Sequence, residues 1–145
     1  MEALQRAILS NNWITIIFLV SLAILFFLKL FEAEKLKGYA ASIFNKKQEF
    51  LTIKEDIGRH NAVDKVIGDL LIKDYLKHAH YLFVSGRVSY EIVSKAFIAK
   101  IPIIVAVSAC SSLAVDFAKE FGICLIGFTR EQKMTIYSNP SFVKT

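Results

Sequence analysis

Apolar and polar positions follow two different rhythms along this chain. From Phe50 onward, short apolar runs alternate with stretches of helical period. Phe50-Leu51-Thr52-Ile53 reads as a strand. Ala62, Val63, Val66, Ile67, Leu70 and Leu71 then recur at helical spacing and predict an amphipathic helix from Asn61 to about Lys73. Tyr81-Leu82-Phe83-Val84 is apolar throughout, as a strand covered on both faces should be. Ser89 is placed to cap a second helix carrying Ile92, Val93, Ala96 and Phe97. Pro102 blocks its continuation, and Ile103–Val107 is the next buried strand. Ser111 or Ser112 would cap a third helix through Leu113, Val115, Phe117 and Ala118, with Gly122 as its C′ residue. Cys124–Phe128 and Met134–Tyr137 complete the strands. Alternating β and α units with apolar strands predict an α/β domain with a mainly parallel sheet flanked by helices.

The first fifty residues keep another rhythm. Trp13–Leu28 holds no charge, and at 1.5 Å per residue it would make about 24 Å of helix, close to the thickness of a bilayer core. Lys29, Lys35, Lys37, Lys46 and Lys47 follow it, against Arg6 before it, which would put the later residues on the cytoplasmic side. A secretory signal fits less well, because the first residues are barely basic and no small-x-small cleavage site follows. A buried core helix would need a larger body of protein around it. Glu32–Phe44 reads as an amphipathic juxtamembrane helix. The expected organisation is a membrane-like helix and linker over 1–48, contacting the membrane through residues 13–31, and a cytoplasmic domain over 49–145.

A net charge of +5 with scattered lysines and no basic-aromatic interleaving points away from nucleic acid. Two cysteines, Cys110 and Cys124, are too few for a disulfide framework or a zinc site. Both read as core thiols, in keeping with a reducing compartment. Chemistry concentrates in the turns. Glu55–Asn61, Ser85–Ser89, Ser108–Ser112 and Phe128–Lys133 should gather beyond the carboxyl ends of the strands, bringing Arg59, Arg87, Arg130 and Lys133 together with helix N-termini. That combination suits a phosphate, although polar loops that merely cap helices would look the same. No turn matches a Walker A or a GxGxxG pattern. His60 would hold a phosphate or pair with Asp56 or Asp64. His78 and His80 lack a third ligand and read as surface residues, so no metal site is expected. Asp64 and Lys65 would reach the site or form surface pairs.

Three motifs in order, EDIGRHNAVDKVIG, VSGRVSYEIVSKAFIAKIPIIVAVSACSSLAVDFA and LIGFTREQKMTIYS, closely resemble the formate dehydrogenase accessory sulfurtransferases, the FdhD/NarQ family, from about Phe50 to Phe142. The resemblance implies a cytidine-deaminase-like fold, usually dimeric, that passes sulfur from a cysteine desulfurase to the molybdenum bis(molybdopterin guanine dinucleotide) cofactor of formate dehydrogenase. It implies that Phe128, Thr129, Arg130, Glu131, Gln132 and Lys133 contact that cofactor, with a GDP-like nucleotide as surrogate. Arg59, His60, Ser85, Gly86, Arg87 and Ser108 would line the same pocket. In the family the sulfur rides on a cysteine of a CxxC loop upstream of EDIGRHN, and no CxxC pair occurs here. No catalytic residue is thereby identified. Cys110, just before a helix N-terminus, is the candidate thiol, against a plain role as a small turn residue. The chain reads as the cofactor-binding half of such a protein joined to foreign sequence, with nucleotide binding but no sulfur transfer as the alternative.

Overall fold

A computed structural model describes residues 38–130 and 133–143. The strands are β1 (Tyr39–Asn45), β2 (Phe50–Asp56), β3 (Ala79–Val84), β4 (Ile103–Ala106), β5 (Cys124–Arg130) and β6 (Lys133–Ser138). The helices are α1 (Arg59–Ile72), α2 (Tyr90–Ile98) and α3 (Ser112–Glu120), with short 3-10 turns at Leu76–His78 and Pro140–Val143. The strands form one sheet in the order β2-β1-β3-β4-β5-β6.

The sheet is mixed, which corrects the mainly parallel expectation. β3, β4 and β5 are parallel neighbours, whereas β1 is antiparallel to both β2 and β3, and β6 is antiparallel to β5. The cause is a strand that sequence reading missed. Residues Tyr39–Phe44, read as part of a juxtamembrane helix, are β1, which slots between β2 and β3. Ala40, Ala41, Ser42, Ile43 and Phe44 are all buried. A run this evenly apolar fits a doubly covered strand as well as a helix, and period cannot separate the two. β1 also lies on the N-terminal side of the boundary drawn near residue 48. The apolar segment 13–31 lies outside the described residues. Among the described residues no helix is long and apolar enough to cross a membrane.

The crossovers β2-α1-β3, β3-α2-β4 and β4-α3-β5 all advance in one direction across the sheet. Right-handed connections then stack all three helices on one face. There Ala62, Val63, Val66 and Leu70 of α1, Ile92, Val93 and Ala96 of α2, and Ala114 and Ala118 of α3 pack on Ala41, Ile43, Leu82, Ile104 and Leu125. The other face carries Ala40, Phe44, Phe83, Val105, Cys124, Ile126 and Met134, joined by Val143 of the last turn. α3 starts as the sequence suggests, with Ser111 Oγ accepting from Ala114 N–H at 3.2 Å, and Gly122 follows it at φ +73°. β6 is locked at its end: Ser138 Oγ accepts from Leu125 N–H and donates to Ile123 O, and Asn139 Nδ2 donates to Ala118 O and Ile123 O.

Candidate functional site

Because β2, β3, β4 and β5 run in the same direction, the turns that follow them lie at one end of the sheet. Ser85 N–H donates to Ala40 O, and Ser85 Oγ accepts from Ala40 N–H at 2.9 Å, tying the β3–α2 turn to the start of β1. Gly86 lies beneath Tyr39. A Cβ there would stand 2.7 Å from the Tyr39 ring and 3.6 Å from Arg59 Cβ, so the α1 and β3–α2 turns touch. The β3–α2 and β4–α3 turns are stitched by Val88 N–H to Ala109 O and Ser111 N–H to Val88 O, both 3.0 Å. Phe128 N–H donates to Ser108 O at 3.0 Å, which adds β5 to the row. A Cβ on Gly127 would meet the Tyr137 ring at 2.8 Å, Cys110 Sγ at 3.0 Å and Ser108 O at 3.1 Å. Only glycine allows the strand end so close to the third turn.

Two helices enter this edge without a side-chain cap. Gly58 precedes α1 and Ser89 precedes α2, and neither has a side-chain oxygen that accepts from an N–H of the first turn. The expected Ser89 cap is therefore not made. Instead the hydroxyl stands beside Glu91, whose carboxyl is held below the ordinary range by Ser89, by its own backbone N–H and by positive charge on His60 and Arg59. α1 has no acid in its first turn and begins with Arg59 and His60, so its positive dipole end is unopposed within the helix. Arg59 Nε is buried without a hydrogen-bond partner, and so is Thr129 Oγ1. Buried polar atoms without partners are uncommon, and an unplaced ligand is one standard cause.

Asp56 organises the turn before α1. Lys65 Nζ lies 2.6 Å from it, while Gly58 N–H and Asn61 Nδ2 donate to it at 2.9 and 3.1 Å. These contacts, Lys65 first, hold its carboxyl at about 2. Lys95 takes Asp64 at 2.7 Å. Both acids that could have held His60 are thus engaged by lysines, and Asp64 and Lys65 prove to be pairing residues.

Where β5 turns into β6, Gly127 pairs with Thr135 and Arg130 with Lys133, so Phe128 and Thr129 together oppose Met134. This is a β-bulge, and Phe128 occupies it at φ +50°, a left-handed position that an aromatic residue takes at a cost. Its ring is 39% exposed, while Thr129 is buried and Arg130 and Lys133 are exposed. Phe128, Thr129 and Arg130 thus belong to the end of β5, and Lys133 opens β6. Glu131 and Gln132 lie outside the described residues.

The sequence-predicted residues thus divide. Arg59, Arg87, Phe128, Thr129, Arg130 and Lys133 share one edge, with Arg87 exposed. Ser85, Gly86 and Ser108 hold the turns together with groups already used in the fold. Tyr39 was missed because its strand was missed. His78 and His80 lie at the opposite end of β3, against Tyr75 and Tyr81. Cys110 is half-buried and Cys124 buried, and burial pushes both thiols up to about 12.

The sequence model of the FdhD/NarQ family matches residues 36–144. A sulfur carrier protein FdhD of Saccharolobus solfataricus is 51% identical over 102 residues, covering 70% of this chain and 40% of that protein. Another from Nocardia farcinica is 54% identical over 101 residues, covering 69% and 36%. A solved structure from Desulfotalea psychrophila, assigned to the formate dehydrogenase accessory proteins, superposes with a TM-score of 0.65 at 30% identity, covering 71% of this chain and 46% of that one. The chain spans less than half the length of the relatives it matches.

Proposed function

The chain belongs to the FdhD/NarQ family, and from that premise we propose that it serves formate dehydrogenase maturation by binding the molybdenum bis(molybdopterin guanine dinucleotide) cofactor as cargo at the strand-end edge. One observation carries this reading. The N-terminus of α1, with no acid in its first turn, and the unpartnered Arg59 Nε stand on the same edge as Phe128, Arg130 and Lys133. A guanine dinucleotide presents a pyrophosphate and a flat base. Helix N-termini and guanidinium groups suit the first. The half-exposed Phe128 ring offers a stacking surface to the second. Arg59 begins α1, whereas Arg130 ends β5, three places along the sheet from β1. That separation fits an extended ligand held at both ends better than a lone phosphate.

Sulfur chemistry is assigned differently. Persulfide formation needs a thiolate, and a thiol held at about 12 is almost wholly protonated near neutral pH. Neither Cys110 nor Cys124 serves as the carrier in this reading. They are packing groups, and the sulfur reaches the cargo from a persulfide elsewhere, supplied by a cysteine desulfurase. The protein works in the cytoplasm as a homodimer.

Calorimetric titration with GDP tests the proposal. Binding is expected, and Arg130→Ala and Lys133→Ala should each weaken it by about tenfold, as loss of a charge-assisted contact does. No binding, or unchanged affinity in both variants, would overturn it.

A further inference from the structure

An aromatic ring stands where α1 and α2 begin. Tyr39 opens β1 opposite Asp56, between the strands that lead into these two helices. By alternation with Ala41 and Ile43, its side chain lies on the helix-bearing face. Two glycines seat it. A Cβ on Gly38 would collide with the Asp56 carbonyl oxygen and stand 3.0 Å from Ile57 Cα, so only glycine lets the start of β1 lie against the turn into α1. Gly86 acts from the other side, where a Cβ would stand 2.7 and 2.9 Å from two adjacent ring carbons of Tyr39. Held this closely, Tyr39 is still 39% exposed, beside the Arg59 whose Nε has no hydrogen-bond partner. A plug would be covered, whereas a ring gripped along one edge and open to solvent can receive another flat group. An acid stands nearby. Asp56 and Asp64 are taken by Lys65 and Lys95, but Glu91, exposed in the first turn of α2, forms no ion pair with a lysine or arginine among the described residues. The charges of Arg59 and His60 reach it, which places it close to the start of α1.

Resting on the reading that the cargo is a guanylated pterin, we propose that Tyr39 and Glu91 bind its pterin end, with the guanine on Phe128 and the phosphates reaching Arg59. The dinucleotide carries a flat group at each end of its pyrophosphate, and the edge offers an exposed aromatic ring at each end of its row of turns. The pterin stacks on Tyr39. Its 2-amino-4-oxo edge presents two N–H donors side by side, and a carboxylate accepts such a pair with both oxygens. Glu91 supplies that carboxylate on an edge whose other charged groups suit an anion. Tyr39 is then the residue that distinguishes a pterin-bearing cargo from a plain guanine nucleotide.

Fluorescence titration of the full chain with 6-hydroxymethylpterin, with GDP saturating the guanine end, tests this. The pterin should bind alongside GDP, its emission quenched by the stacked ring. Tyr39→Leu keeps apolar bulk and removes the ring; it should weaken pterin binding by about tenfold, as loss of one aromatic stack does, while Tyr39→Phe stays within about twofold of the native chain. Glu91→Gln, a change on the surface, should weaken it several-fold. GDP affinity, measured by calorimetry, should not fall in any of the three variants. A pterin that GDP displaces, or one that binds Tyr39→Leu and Glu91→Gln as tightly as the native chain, would overturn the assignment and leave the guanine reading intact. So would GDP binding without pterin binding. Parallel loss of both ligands in Tyr39→Leu, with a lowered melting temperature, would make Tyr39 a structural plug and overturn it as well. Absence of GDP binding would instead remove the guanine reading, and the pterin assignment with it.

Discussion

At the residue scale, the decisive groups are two thiols and one carboxylate. Raising a thiol from 9.0 to about 12 leaves roughly a thousandfold less thiolate at neutral pH than an unshifted cysteine has. Alkylation of the native chain should accordingly be slow at pH 7 and climb with pH well past 9. Rapid labelling at pH 7, or a persulfide on Cys110 after incubation with cysteine desulfurase and cysteine, would return that thiol to the list of carriers. Asp56 makes the opposite case. Its carboxyl sits at about 2 against an ordinary 3.8, held down by Lys65, Gly58 N–H and Asn61. A depressed carboxyl stabilises the fold fully above about pH 4, and the contribution is lost as pH falls through 2. Melting temperature followed by circular dichroism should drop across that window, and Asp56→Asn should flatten part of the drop while lowering stability at pH 7. An unaltered profile would mean that the turn does not depend on the ion pair.

At the element scale, the close approaches matter most. Gly127→Ala would press a methyl group onto the Tyr137 ring and Cys110 Sγ, and against the Ser108 carbonyl, which is backbone and cannot swing away. A loss of about 1–3 kcal/mol in urea unfolding is expected. Gly86→Ala should cost less, because the Tyr39 ring it would meet is 39% exposed and can turn outward. Ser111→Ala removes the one side-chain cap at this edge and should cost about 1 kcal/mol. The same elements show what the sequence could and could not convey. Val66 and Leu70 set the helical period of α1, and Pro102 and Gly122 set limits that hold. β1 was illegible because Ala40–Phe44 has no polar residue to mark a period except Ser42, itself buried. The mixed sheet followed from that one omission. The β5–β6 bulge was equally hidden, since nothing in a Phe-Thr-Arg sequence announces a left-handed phenylalanine.

On the scale of the whole molecule, topology brings the turns together. Three crossovers of one hand put every helix N-terminus at the same end of the sheet, and the β5–β6 hairpin extends beyond it. The motif residues Arg59, Arg87 and Arg130 could be found from sequence, because glycine- and serine-bearing turns entering helices signal their own position. Which of them is buried without a partner could not, because that depends on what packs around each. Ser85 looked as available as Arg59 until β1 took its hydroxyl. The central claim is that these turns act as one binding edge. Hydrogen exchange measured with and without GDP tests it most directly. Protection is predicted to rise together in the backbone of 57–61, 85–89 and 127–133. Protection confined to one of these turns, or appearing instead on the outer surface of α2 and α3, would contradict the account.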